Sequence, residues 1–276
     1  MNYNQARQYL PFAKAVYGGG DEARTPIAVG NITPVAVTGF TLTPNSGFGG
    51  ALYKDPATGK YTIAFVGSEV QDFAADWVKT DGVLATQDLF KSARDFVGSW
   101  NPQMSDALNF GYAAVKQITN DLKAEGNQNP TMDDVRARLD VTGHSLGGAL
   151  AEMVGKFFGL KGANIDGPGV RVLIGESQYT AMQDKVANDP DIVGFQRDYV
   201  RNGTDFVSSG FSFVSIAGTH LADTNFQAQP SAAESYYSVL GLLGGGGLAA
   251  NPALIGAGLA TLVKDGLNHP LGAILG

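Results

Sequence analysis

The sequence predicts an α/β fold, a single domain over residues 1–276 built on a mixed, mostly parallel sheet with helices on both faces. Three observations lead there. The stretch Leu139-Asp140-Val141-Thr142-Gly143-His144-Ser145-Leu146-Gly147-Gly148 runs from an apolar alternating beat, through a glycine-flanked turn, into good helix formers. Elsewhere the apolar period changes between two, over 34–66, and three to four, over 104–123 and 146–160. A chain of 276 residues that is 44% hydrophobic and 16% charged also has enough apolar surface for one large core.

Composition then excludes several classes. A net charge of -7 argues against nucleic acid and against docking on anionic membranes. With no cysteine there is no disulfide, thiol nucleophile or zinc–thiolate site, and three histidines make a histidine-rich metal site unlikely to arise, so no metal or cofactor is expected. The first twenty residues lack a basic start, apolar core and cleavage site, which implies a cytoplasmic protein or one secreted without a signal peptide. No apolar run reaches the roughly 18 residues of a transmembrane segment.

In chain order, Tyr3, Ala6, Leu10, Ala13 and Val16–Tyr17 space a helix that Gly18-Gly19-Gly20 ends. Alternation then predicts strands at Val35–Phe40, Ala51–Tyr53 and Tyr61–Phe65, the last two joined by Asp55-Pro56-Ala57-Thr58-Gly59. Beyond Phe65 come Gly67-Ser68 and a polar, aromatic segment in which Phe73 and Trp77, four apart, share one helical face. That face belongs either to a lid, within about 69–100, or to the core. A helix over 104–123 stops before Gly126 and Pro130, and a short one from Met132 leads into the strand before the turn. Leu146–Leu160 is the next helix, closed by Gly162. Further strands are predicted at Val170–Gly175, Phe195–Val200 and Phe211–Ala217, with a helix at Tyr179–Val186 between the first two. About 231–268 is an apolar, Gly-rich tail that packs on the sheet or forms an acyl-binding cap.

The turn at Gly143–Gly147 reads G-x-S-x-G between strand and helix, the context in which a serine oxygen is lifted above a sheet edge. The helix that follows offers unpaired N–H groups and the positive end of its dipole to an oxyanion. A serine hydroxyl attacks only when a histidine takes its proton, and a carboxylate holds that histidine in one tautomer. Asp205 is the candidate acid, because the predicted strand at Phe195–Val200 runs into the turn Arg201-Asn202-Gly203-Thr204-Asp205. Two histidines are open as the base. His220 follows the last predicted strand directly, whereas His269, fixed by Pro270, lies in a later loop and is favoured. His144 adjoins Ser145 with its side chain expected to point away from the serine oxygen, a supporting position. The oxyanion donors are the backbone N–H groups of Leu146 and Ser68.

Together these parts resemble the class 3 lipases, a family with the α/β-hydrolase fold that includes the fungal triacylglycerol lipases. The resemblance runs over about residues 50–270 and suggests a bacterial-type member. It rests on Tyr61–Ser68 for the strand that carries the oxyanion residue and on Asp76-Trp77 with Asp81 after the lid. It rests also on Val141–Gly148, and on Thr204-Asp205-Phe206-Val207, 60 residues beyond Ser145. The resemblance implies Ser145, Asp205 and His269 as the triad, Ser68 as the oxyanion residue and the stretch from Ser68 to Trp77 as the lid region. Two departures stand out. Val66 occupies the family's usual arginine position, and the fungal disulfides are absent.

The function expected is serine carboxylester hydrolysis on a lipid or ester substrate at an interface, first as a triacylglycerol lipase. The alternatives within this chemistry are a phospholipase A1 and a short-chain carboxylesterase. Outside it stands a non-catalytic hydrolase-like binding domain.

Overall fold

The computed structural model describes residues 7–18, 25–67, 100–144, 146–165, 167, 169–171, 173–197, 206–209, 221 and 224–226. The chain divides into two units, Met1–Gly67 with Phe96–Phe226, and Ser68–Asp95 with Gln227–Gly276. Every described residue belongs to the first. The expected lid region, the Gly-rich tail and the strand at Phe211–Ala217 lie outside the described residues.

Among the described residues the sheet has seven strands in sequential spatial order: β1 (Thr33–Val35), β2 (Gly50–Lys54), β3 (Tyr61–Phe65), β4 (Leu139–His144), β5 (Lys161–Ile165), β6 (Phe206–Ser209) and β7 (Thr224–Phe226). The first three pair antiparallel, and β3 through β7 are parallel. The β2–β3 connection folds as the sequence suggests. Asp55 accepts from the Ala57 N–H and from the Thr58 hydroxyl, and Gly59 takes φ +68°. The side-chain and backbone donors around Asp55 hold its carboxyl below the usual carboxylate range, Thr58 contributing most.

Among the described residues five helices flank the sheet: α1 (Leu10–Ala15), α2 (Pro102–Ala124), α3 (Met132–Arg138), α4 (Leu146–Phe158) and α5 (Ser177–Ala187). Local chemistry fixes their ends. Asn101 caps α2 by accepting from the Gln103 and Met104 N–H groups, with Pro102 in the first turn. Gly126, at φ +106°, turns the chain away at its other end. Thr131 and Asp134 form a reciprocal capping box on α3.

Strand alternation sorts the core into two faces. Leu52, Ile63, Phe65 and Val141 join α2, α4 and α5 in the larger cluster. Ala51, Tyr53, Ala64 and Val66 point the other way, against Ala15 and Val16 at the end of α1. Helices therefore cover both faces of this mixed, mostly parallel sheet, with α1 the helix on the second face among the described residues.

Several sequence expectations are corrected. The first strand is only Thr33–Val35, and Phe40 instead packs edge-on against Phe110. Helix α4 ends at Phe158, where Gly159 at φ +68° takes over, so Gly162 is not its terminator. Gly162 lies inside β5, a strand the sequence did not announce. A side chain there would stand 1.8 Å from the Val141 carbonyl oxygen, so only glycine lets β5 lie this close to β4. Val170–Gly175 is not a strand: Leu173–Gly175 form a 3-10 turn, with Val170 and Leu173 buried. No strand covers Phe195–Arg197 either, and β6 begins only at Phe206. Val170 and Leu173, and in part Ile174 and Phe195, are covered by packing outside the sheet, an override of β-propensity by tertiary context. Phe195, for example, stacks on Phe157 and Phe158 of α4.

Candidate active site

Strand β4 and helix α4 are separated by a single residue, Ser145, which itself lies outside the described residues. What surrounds that residue is tightly defined. A side chain at Gly143 would meet the Gly147 carbonyl oxygen at 2.1 Å, and one at Gly148 would meet Asn164 Oδ1 at 2.2 Å. A side chain at Gly147 would meet the Phe65 carbonyl oxygen at 2.3 Å. All three contacts lie far inside van der Waals range: Gly143 and Gly147 are reserved for glycine by backbone crowding, and Gly148 is crowded by the buried Asn164 side chain. This is the strand–turn–helix geometry that holds a nucleophile at a sheet edge. Leu146, the first residue of α4, is buried, and its N–H belongs to the first turn, where helical amides have no partner within the helix.

The chain end of β3 lies against this turn. Phe65 pairs with Gly143 across the parallel ladder, and the contact at Gly147 brings α4 down onto Phe65 and Val66. After the ladder ends, the Val66 N–H donates to the Gly49 carbonyl at 2.9 Å, and the Gly67 N–H donates to the Tyr17 hydroxyl at 2.8 Å. Ser68, the expected oxyanion residue, is next in the chain and outside the described residues. Val66, at the position where the resemblance leads to an arginine, is buried in the smaller apolar cluster.

His144 is on the α1 face of β4, with Tyr17 beside it: the Tyr17 hydroxyl stands 3.5 Å from Nδ1 and donates to the His144 carbonyl at 3.4 Å, and the rings meet edge-on. The sequence reading left the first helix without a part in the chemistry. Tyr17 lies in no motif of the sequence, and nothing within a few residues of it signals these contacts.

A buried polar chain runs under α4. Asn164 donates to Glu152 Oε2 at 2.7 Å while its Oδ1 accepts from the Gly167 N–H at 2.9 Å. The other Glu152 oxygen accepts from the Leu221 N–H. Glu152 is 1% exposed and Asn164 fully buried. This network ties the helix after Ser145 to the end of β5 and to the residue after His220.

Asp205, His220 and His269 lie outside the described residues, as do Asp76, Trp77 and Asp81. Of the strand expected before Asp205, Phe195–Arg197 are not in a strand and the rest lies outside the described residues; β6 follows Asp205, and its Phe206 pairs with Gly162, which is level with Val141 rather than with His144. Among the described residues no cluster of histidine and carboxylate groups could hold a metal ion, and no helix is long and apolar enough to cross a membrane.

With this geometry in place, comparison with known proteins is informative. Residues 63–171 match the family Lipase (class 3). The matched segment starts in β3 and contains β4, the glycine-bound turn and α4. Among solved structures the chain is similar to Lip2 lipase from Yarrowia lipolytica, at 15% identity over 75% of this chain and 70% of that one, with a TM-score of 0.30. The nonglycosylated form of the same lipase gives 16% identity over 82% and 80%, with a TM-score of 0.33. No curated protein matches.

Proposed function

We propose that the chain hydrolyses lipid esters through an acyl-enzyme on Ser145, as a triacylglycerol lipase. The observation that carries this reading is the turn itself. Backbone crowding reserves Gly143 and Gly147 for glycine and seats the end of β3 against the start of α4. A structural turn with an incidental serine has no need of both contacts. The class 3 match over the same segment supports it.

In this reading Ser145 Oγ attacks the ester carbonyl as its proton passes to His269. The negative charge that forms on the carbonyl oxygen is met by the N–H groups of Leu146 and Ser68. Collapse expels the alcohol with the proton from His269, and water activated by the same histidine then releases the fatty acid. Asp205 holds His269 in the required tautomer, and His220 is the alternative base. One observation favours a second acid. Asp166 follows Ile165, the residue of β5 paired with His144, whereas Phe206, after Asp205, is level with Val141.

The test is labelling by a fluorophosphonate with site mapping by mass spectrometry, run on the native chain and on Ser145→Ala, His220→Ala, His269→Ala, Asp205→Asn and Asp166→Asn. Modification at Ser145 that is lost in one histidine variant and one aspartate variant supports the reading and names both partners. Unlabelled Ser145, or ester turnover that survives Ser145→Ala, overturns it. Turnover of p-nitrophenyl esters from C4 to C16, set beside phosphatidylcholine, separates lipase from esterase and phospholipase A1.

A further inference from the structure

The Tyr17 hydroxyl touches both halves of the proposed machinery, and this makes it more than a packing group. Its acceptor side takes the Gly67 N–H at 2.8 Å, a bond of ordinary strength, and it makes a longer contact with His144, 3.4 Å from the carbonyl oxygen and 3.5 Å from Nδ1. Gly67 precedes Ser68, and His144 precedes Ser145. One hydroxyl therefore bridges the residue before the expected oxyanion donor and the residue before the expected nucleophile.

The surrounding bonds explain why this bridge matters. The β2–β3 ladder ends at Phe65, and Gly49 takes the Val66 amide. The Gly67 amide is the last before Ser68, and it is held by a side chain instead of a strand. Gly67 lacks a side chain to restrict its own rotation, so without that bond the peptide leading to Ser68 is free to turn. On the opposite face of the sheet the approach of β3 to α4 is already fixed by backbone contact at Gly147. Tyr17 supplies the corresponding restraint on the α1 face.

Tyr17 is well placed to hold that position. It sits in the turn that ends α1, with its own N–H donating to the Lys14 carbonyl at 3.2 Å and that of Gly18 to Ala15 at 3.1 Å. Val16 beside it is completely buried. The hydroxyl is thus carried on an anchored backbone, as a positioning group must be.

We propose that Tyr17 is a positioning residue that sets the separation of the oxyanion strand and the nucleophile turn through its hydroxyl. This rests on the reading of Ser145 as nucleophile and Ser68 as oxyanion donor. Tyr17→Phe keeps the ring and removes the bridge. Tyr9→Phe is the matched comparison, since the Tyr9 hydroxyl also bonds to β4 on this face, at Asp140 Oδ2, 3.1 Å. Both variants are assayed on p-nitrophenyl butyrate, with thermal unfolding recorded alongside.

The expected result is a fall in kcat of about ten- to a hundredfold for Tyr17→Phe with KM unchanged, because a donor displaced from the oxyanion weakens only the transition state. Ser145 remains labelled by the fluorophosphonate, more slowly, and Tyr9→Phe keeps the native kcat. Native kcat in Tyr17→Phe overturns the proposal, as do equal losses in both variants or recovery of Tyr17→Phe unfolded. Failure of the underlying reading is seen separately, as an absence of Ser145 labelling in the unmodified chain.

Discussion

Replacing Gly147 by Ala tests the contact on which the site geometry depends. The new methyl would stand 2.3 Å from the Phe65 carbonyl oxygen, 2.8 Å from its carbon and 2.9 Å from the Val66 carbonyl carbon. Ordinary contact needs about 3.5 Å, so α4 and the end of β3 must separate by about 1 Å. Neither side can yield by rotating a side chain, because the obstacle is backbone. The cost therefore falls at the upper end of overpacking, about 3 kcal/mol. For a domain of this size that lowers Tm by roughly 6–12 °C. A displacement of about 1 Å between nucleophile and oxyanion donor also costs about a hundredfold in kcat. Gly111→Ala is the informative comparison. Its methyl would meet Val154 Cγ1 at 2.9 Å and Phe158 Cε2 at 3.0 Å, side-chain atoms of α4 facing α2 and away from the turn. There the gain in helix propensity, about 1 kcal/mol, offsets much of the crowding, and kcat stays native. Calorimetry and ester kinetics on both variants decide the matter. Native Tm and native kcat in Gly147→Ala would refute the claim that β3 and α4 are in backbone contact at the site.

Two further outcomes follow from buried polar groups. Tyr53 is completely buried, its hydroxyl has no partner among the described residues, and burial pushes its pKa up to about 12. The unfolded chain ionises it near 10, so stability is fully present below pH 10 and falls as pH rises toward 12, by on the order of 2–3 kcal/mol. Urea unfolding from pH 8 to 12 should show Tyr53→Phe more stable at neutral pH and flatter in alkali; an unchanged alkaline slope would refute the assignment. Glu152→Gln replaces a carboxylate that accepts from both Asn164 and the Leu221 N–H by a group with one acceptor and one amide donor. One buried donor is left facing another, a loss of about 1–3 kcal/mol by chemical denaturation. Stability equal to the native chain would mean the network is not formed.

What the sequence made legible was local. The turn at Asp55–Gly59, the helix break at Gly126 and the glycine-flanked serine all announce structure through interactions within a few residues. Helices α2, α4 and α5 fall within a few residues of the spans their apolar spacing predicts. Strand β5 was illegible because nothing within Lys161-Gly162-Ala163-Asn164-Ile165 favours a strand. Its reasons lie elsewhere in the chain: Val141, which Gly162 must approach, and Glu152, which the buried Asn164 amide satisfies. Val170–Gly175 misled for the converse reason, an apolar run in which Val170 and Leu173 are buried although Leu173–Gly175 form a turn.

The same division explains the candidate site. Ser145 could be singled out because its constraint is carried by its immediate neighbours, Gly143 and Gly147. Tyr17 could not, since its role depends on two residues 50 and 127 positions away that only the β3–β4 pairing brings together. A nucleophile turn is encoded locally because the strain it carries is local. The distance from that turn to the oxyanion strand is a property of the sheet, and the groups that set it come from whichever element covers that face. Here the element is α1, far from the turn in sequence. That is why a substitution at Tyr17, outside every motif, is expected to act on kcat, whereas one at Tyr9, on the same helix-covered face, is expected to act on stability alone.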